Sequence, residues 1–216
     1  MKTIGLLGGM SWESSIVYYR IINEVVRQRL GGLHSAKCLM FSFDFHEIVA
    51  MQRAGDWEEA TRTMVAAAVN LQEAGAGLVV ICTNTMHKMA DAVSAALRVP
   101  FIHIADPTAR KVIEAGINTV GLLATRFTME HTFYVRRLCQ KHGLEVLIPA
   151  EPDRRRVHDI IFDELCCGEI LPDSRSRLIT IMHELISRGA RGIILCCTEL
   201  GLSIGQDHCP VPLFDT

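Results

Sequence analysis

Short apolar runs punctuated by glycine recur along this chain, and their spacing predicts alternating strands and helices. Thr3-Ile4-Gly5-Leu6-Leu7 reads as a first strand, with Gly8-Gly9-Met10-Ser11-Trp12 as the tight turn after it. Ser14 to Leu30 has helical spacing at Ile16, Tyr19, Ile22, Val26 and Leu30, and stops at Gly31-Gly32. Cys38 to Phe43 is strand-like, and Asp44-Phe45-His46-Glu47 follows as a polar loop. Trp57 to Ala74 predicts a long helix stopped by Gly75, and Leu78 to Ile81 a buried strand. A helix from His87 to Leu97 precedes a strand at Val99 to Ile104. Asp106-Pro107-Thr108 has the cap-then-proline form of a helix start, and that helix runs to Gly116.

The pattern then repeats. Thr119-Val120-Gly121-Leu122-Leu123-Ala124-Thr125 matches the opening strand at an offset of 116 positions. Gly189-Ala190 matches Gly75-Ala76 at 114, and Val211-Pro212-Leu213-Phe214 matches Val99-Pro100-Phe101-Ile102 at 112. Three anchors in one order at nearly constant offset predict an internal duplication, with residues 1–104 and 105–216 as two α/β domains. Strands alternating with helices in each half predict parallel sheets with right-handed crossovers.

Composition narrows the function. The 216 residues are 49% hydrophobic, enough for packed cores, and the formal charge is −2. That balance carries no electrostatic footprint for nucleic acid or an anionic membrane. No apolar run reaches the length of a bilayer span, and the opening residues lack the apolar core and cleavage site of a signal peptide. Eight cysteines include the vicinal pairs Cys166-Cys167 and Cys196-Cys197, and none has the C-x-x-C spacing of a zinc or redox site. They point to reduced thiols in the cytoplasm, mostly serving as small buried hydrophobes.

Two stretches suggest chemistry. Ile81-Cys82-Thr83-Asn84-Thr85-Met86-His87 and Leu195-Cys196-Cys197-Thr198-Glu199-Leu200 each place a Cys-Thr pair directly after a buried strand. Ligands of open α/β sheets bind outside the carboxyl ends of the strands. Counting from the shared Gly-Ala aligns Cys196 with Cys82, whereas matching the Cys-Thr dipeptide aligns Cys197. Neighbouring strand residues point to opposite faces, so one of the two faces a cleft as Cys82 does. The dipeptide belongs to the loop that forms the site and selects Cys197. Helices starting after each loop would lower the thiol pKa toward neutrality. Two such groups suit taking a proton from one face of a carbon and returning it to the other.

With these motifs, the chain resembles the aspartate/glutamate racemase family of cofactor-independent amino-acid racemases over nearly its whole length. The resemblance is carried by Gly5-Leu6-Leu7-Gly8-Gly9-Met10, Cys82-Thr83-Asn84-Thr85 with His87, Gly121-Leu122-Leu123-Ala124-Thr125 and Cys197-Thr198-Glu199. It implies two similar Rossmann-like domains with parallel sheets and an active site in the cleft between them. It also implies Cys82 and Cys197 as the two acid/base groups, with no pyridoxal phosphate and no metal. A small amino acid would be the substrate, glutamate, aspartate or a relative, and a homodimer the assembly. Asn84, Thr85 and nearby backbone amides can hold its α-carboxylate, and Thr83, Thr125 and Thr198 supply further polar contacts. Met10 belongs to the same substrate-binding set. Glu199 can receive the α-ammonium or orient Cys197, and His87 can tune Cys82. The loop from Asp44 to Arg53, with His46, Gln52 and Arg53, is expected over the side-chain end, with Gln52 as its main contact.

Two departures stand out. Relatives strict for aspartate carry a lysine in the segment that here reads Ile161 to Gly168 without a basic residue, so a longer or neutral side chain is allowed. The family pattern also continues past Asp215-Thr216 into a last helix packing on the first domain. This sequence has none after Thr216, which would expose apolar surface there. Competing readings are a thiol-dependent isomerase or decarboxylase of another carboxylic acid, and a non-catalytic amino-acid-binding protein.

Overall fold

The computed structural model describes all 216 residues, which form two compact units, Met1–His103 and Ile104–Thr216. In the first unit, β1 (Ile4–Gly8), β2 (Cys38–Ser42), β3 (Leu78–Ile81) and β4 (Phe101–Ile102) form a parallel sheet in the order β2-β1-β3-β4. Leu7 registers with Ile81, so the chain leaves β1 and β3 side by side at their carboxyl ends. The linking helices are α1 (Trp12–Leu30), α2 (Phe45–Ala54), α3 (Trp57–Glu73) and α4 (Ala90–Ala96). Leu7, Ile48, Met64, Leu71, Val79, Ile81 and Met86 pack into one core. Each such side chain contributes roughly 1.5–3 kcal/mol of burial.

The second unit repeats this order. Strands β5 (Thr119–Ala124), β6 (Glu145–Leu147), β7 (Gly192–Cys196) and β8 (Leu213–Asp215) form a parallel sheet in the order β6-β5-β7-β8. Its helices are α5 (Ala105–Glu114), α6 (Arg126–Glu130), α7 (Thr132–His142), α8 (Glu151–Asp159), α9 (Pro172–Ser187) and α10 (Leu200–Ser203). Strand β7 is buried on every residue, as befits a central strand covered on both faces. The paired glycines Gly5 and Gly121 share a packing reason. A Cβ on Gly5 would lie 2.9 Å from Ala76 Cβ, and one on Gly121 would lie 2.6 Å from Ile193 Cδ1.

Two elements differ from expectation. The segment after Asp44 is a helix and not a loop. Asp44 caps it by accepting from the His46 amide at 3.0 Å, and Gly55 ends it in the left-handed region. Its inner face is thin, with Ile48 and Gln52 as the buried residues, which leaves little periodicity to read. Helix α1 begins at Trp12 and buries Ser14 and Ser15, while Ile16, Tyr19 and Leu30 of its apolar stripe remain exposed. Small residues are needed at that inner face because Ser15 Oγ lies against the β1 end, accepting from the Gly9 amide at 2.9 Å.

Candidate active site

In the first unit, the expected residues gather at the carboxyl ends of β1 and β3. Gly9 turns the chain there with φ of 80°, and a Cβ would meet the Phe43 backbone nitrogen at 2.6 Å, so glycine is required. Met10 follows it and is buried. Cys82 is the first residue past β3; its amide donates to the Leu7 carbonyl at 2.9 Å, which ties the thiol to the β1 end. Asn84 and Thr85 are buried, Thr83 is half-buried, and Thr85–Met89 forms a 3-10 turn. Gln52 reaches this turn from α2, where its Nε2 donates to Met86 Sδ at 3.2 Å. Gln52 Oε1 is buried and has no protein partner.

In the second unit, Thr125 follows β5 and Cys197 follows β7, again on neighbouring strand ends, since Ala124 registers with Cys196. Thr125 Oγ1 lies 3.3 Å from Thr128 Oγ1 in the first turn of α6. Cys197 Sγ–H donates to Glu199 Oε2 at 3.0 Å, and Thr198 Oγ1 donates to the same oxygen at 3.0 Å. Of the two roles open to Glu199, the structure displays the contact to the thiol. Cys196 is the last residue of β7 and lies in the core with the Tyr134 hydroxyl as a partner.

The thiol electrostatics overturn one expectation. Helix starts were to lower both thiol pKa values, yet burial pushes Cys82 up to about 12. Burial likewise raises Cys197, and the Glu199 charge adds to it. The reason is geometric. A 3-10 turn follows Cys82, and α10 spans only Leu200–Ser203, so neither loop has a long aligned helix to offset desolvation. Both thiols therefore rest protonated, and a thiolate forms only with compensating charge nearby.

One residue beyond the expected set lies against His87. His103 follows β4 and its ring sits 4.4 Å from that of His87, both buried. Nothing in local sequence joins positions sixteen residues apart; the β3–β4 pairing of Val80 with Ile102 does. All eight cysteines are free thiols. No group of three or more His, Cys, Asp or Glu side chains is arranged to hold a metal ion. No helix is long and apolar enough to cross a membrane.

Two parallel α/β units, each with a Cys-Thr loop at the carboxyl end of its third strand, define an isomerase of the amino-acid racemase class. Residues 7–216 match the Asp/Glu/Hydantoin racemase family, and the chain belongs to it. A candidate Asp/Glu racemase from Yersinia pestis is 50% identical, with a TM-score of 0.91 over 100% of this chain and 94% of its own. An aspartate racemase homologue from Pyrococcus horikoshii OT3 is 33% identical, with a TM-score of 0.84 over 100% and 93%. The broad specificity amino-acid racemase RacX of Bacillus subtilis (strain 168) is 22% identical over 99% of this chain and 92% of its own.

Proposed function

We propose that the protein interconverts the L and D forms of a small amino acid by a two-thiol mechanism, with Cys82 and Cys197 as the two acid/base groups. The observation that carries this is the repeated placement of a Cys-Thr loop after β3 and after β7. One cysteine, as thiolate, removes the α-proton and becomes a thiol; the α-carbon holds the electron pair as a carbanion. The other cysteine, as thiol, gives its proton to the opposite face and becomes the thiolate. Charge and protons balance over a turnover, and the next turnover runs in reverse or after proton exchange with solvent.

The raised thiol pKa values favour this pairing over a permanently ionised nucleophile. A buried thiolate meeting an α-ammonium gains an opposite charge, which favours ionisation only when substrate is present. The α-carboxylate is held by donors of Thr83, Asn84 and Thr85, with Thr125 and Thr198 hydroxyls as further partners and Met10 as an apolar wall. The unpartnered Gln52 Oε1 supports a role for Gln52 at the substrate. No basic residue lies in 161–168, so the side chain accepted extends beyond aspartate and glutamate to neutral ones. No cofactor takes part in this scheme. The reading extends to a cytoplasmic homodimer, supported by the eight free thiols and by the apolar side chains that α1 leaves exposed.

The test is a screen of amino-acid enantiomers in D₂O, following loss of the α-proton signal by NMR and inversion by polarimetry. Exchange with inversion for at least one pair is the expected result. Exchange without inversion for every pair, or binding with neither, would sink the racemase reading.

A further inference from the structure

His87 is tied twice to the loop that carries Cys82. Its backbone amide donates to the Asn84 carbonyl at 3.0 Å, closing the 3-10 turn. Its Nδ1 lies 2.7 Å from the Thr83 carbonyl oxygen. A carbonyl oxygen only accepts, so Nδ1 must carry the hydrogen, which fixes the tautomer of the neutral ring. The ring itself is held by His103 at 4.4 Å and Phe101 at 5.8 Å between centroids. At 2% exposure, water is a poor substitute for this contact.

The consequence follows from the peptide plane. The Thr83–Asn84 bond is trans and planar, so its C=O and N–H point in opposite directions. Drawing the Thr83 oxygen toward His87 turns the Asn84 N–H away from the imidazole. We propose that His87 is a positioning residue for the substrate carboxylate: its Nδ1–H holds the Thr83 carbonyl and so aims the Asn84 amide of the Cys82 loop at the α-carboxylate. This rests on the racemase reading, and gives His87 a role in binding an amino-acid carboxylate rather than in moving the proton. Without the clasp, rotation of that single peptide plane removes a donor and leaves Cys82 in place.

Two substitutions separate the bond from the bulk. Asparagine presents an N–H close to where Nδ1 stands, whereas phenylalanine fills the ring volume and still packs on Phe101 and His103. L-glutamate, L-aspartate and L-alanine serve as probes, since all three carry the same α-carboxylate. His87→Phe should raise KM at least tenfold for whichever of them is racemised, with kcat falling by less. His87→Asn should recover most of that KM. Nitrogen-15 NMR should show Nδ1 of His87 as the protonated nitrogen, and His87→Phe should move the Asn84 amide resonance while thermal unfolding still reports a folded protein. An unprotonated Nδ1, an unmoved KM in His87→Phe, or a His87→Asn as impaired as His87→Phe would overturn the proposal. A wild-type protein that racemises none of the three contradicts the racemase reading for these substrates. The clasp is then decided by the His87 nitrogen spectrum and the Asn84 resonance: Nδ1 unprotonated, or an Asn84 amide unmoved by His87→Phe, refutes it.

Discussion

Replacing Glu199 by glutamine removes one charge beside Cys197 while keeping an oxygen that can accept from Sγ–H. In the native protein that S–H···O contact is 3.0 Å long and Glu199 is 2% exposed. The carboxylate charge is spread over two oxygens, so its centre lies about 4 Å from a thiolate sulfur. At an effective dielectric constant of about 20, such a pair repels by roughly 4 kcal/mol. Removing that repulsion should lower the Cys197 pKa. The native direction agrees, since the Glu199 charge raises that pKa after burial does. The assay is the pH dependence of α-proton washout into D₂O, taken separately for each enantiomer. In the proposed two-thiol mechanism washout needs only the base, so one enantiomer would report Cys82 and the other Cys197. In Glu199→Gln, the acidic limb for the Cys197 enantiomer should move to lower pH, and that for the Cys82 enantiomer should stay. Two unmoved profiles would show that Glu199 does not set the Cys197 thiol.

Three further outcomes are expected. Cys196→Ala should keep most of the activity, because that thiol faces the core with Tyr134, whereas Cys197→Ala should abolish it; the reverse result in a steady-state assay would move the site by one residue. Gly9→Ala should cost at least about 2 kcal/mol in urea unfolding, since φ is 80° and Phe43 backbone blocks a Cβ. Gly143→Ala, at φ of 70° with open space around it, should cost about 1 kcal/mol; equal losses would remove the steric argument. The Cys82 pKa is raised by folding from 9.0 to about 12, so its contribution to stability is complete below about pH 9 and is lost as pH rises toward 12. Comparing urea unfolding of wild type and Cys82→Ala, the wild type should lose about 2 kcal/mol relative to the variant between pH 8 and 10.5. A constant difference would mean that Cys82 is not buried in this way.

The strands were legible because β1, β3, β5 and β7 are runs of Val, Ile and Leu between glycine stops, and a central parallel strand has no polar face to interrupt the run. The repeat of Thr-x-Gly-Leu-Leu likewise registers a packing need, for Gly5 and Gly121 each lie where a side chain would strike a neighbour. Helix α2 was not legible, since two buried residues in ten give no stripe and Asp44 looks alike as a loop residue or a cap. The Cys-Thr loops could be found from their position after apolar runs, and the dipeptide match is what proposes Cys197 over Cys196. What the sequence could not supply was the degree of burial, which reversed the expected direction of both thiol pKa values. His103 was equally hidden, because strand pairing and not local spacing brings it against His87.

The most direct measurement compares inversion with α-proton washout in Cys82→Ala and Cys197→Ala. A two-thiol racemase predicts that neither variant inverts any amino acid, and that each still washes out the α-proton of one enantiomer, a different one in each variant. Racemisation within tenfold of wild type by either variant, or washout of the same enantiomer by both, would contradict it.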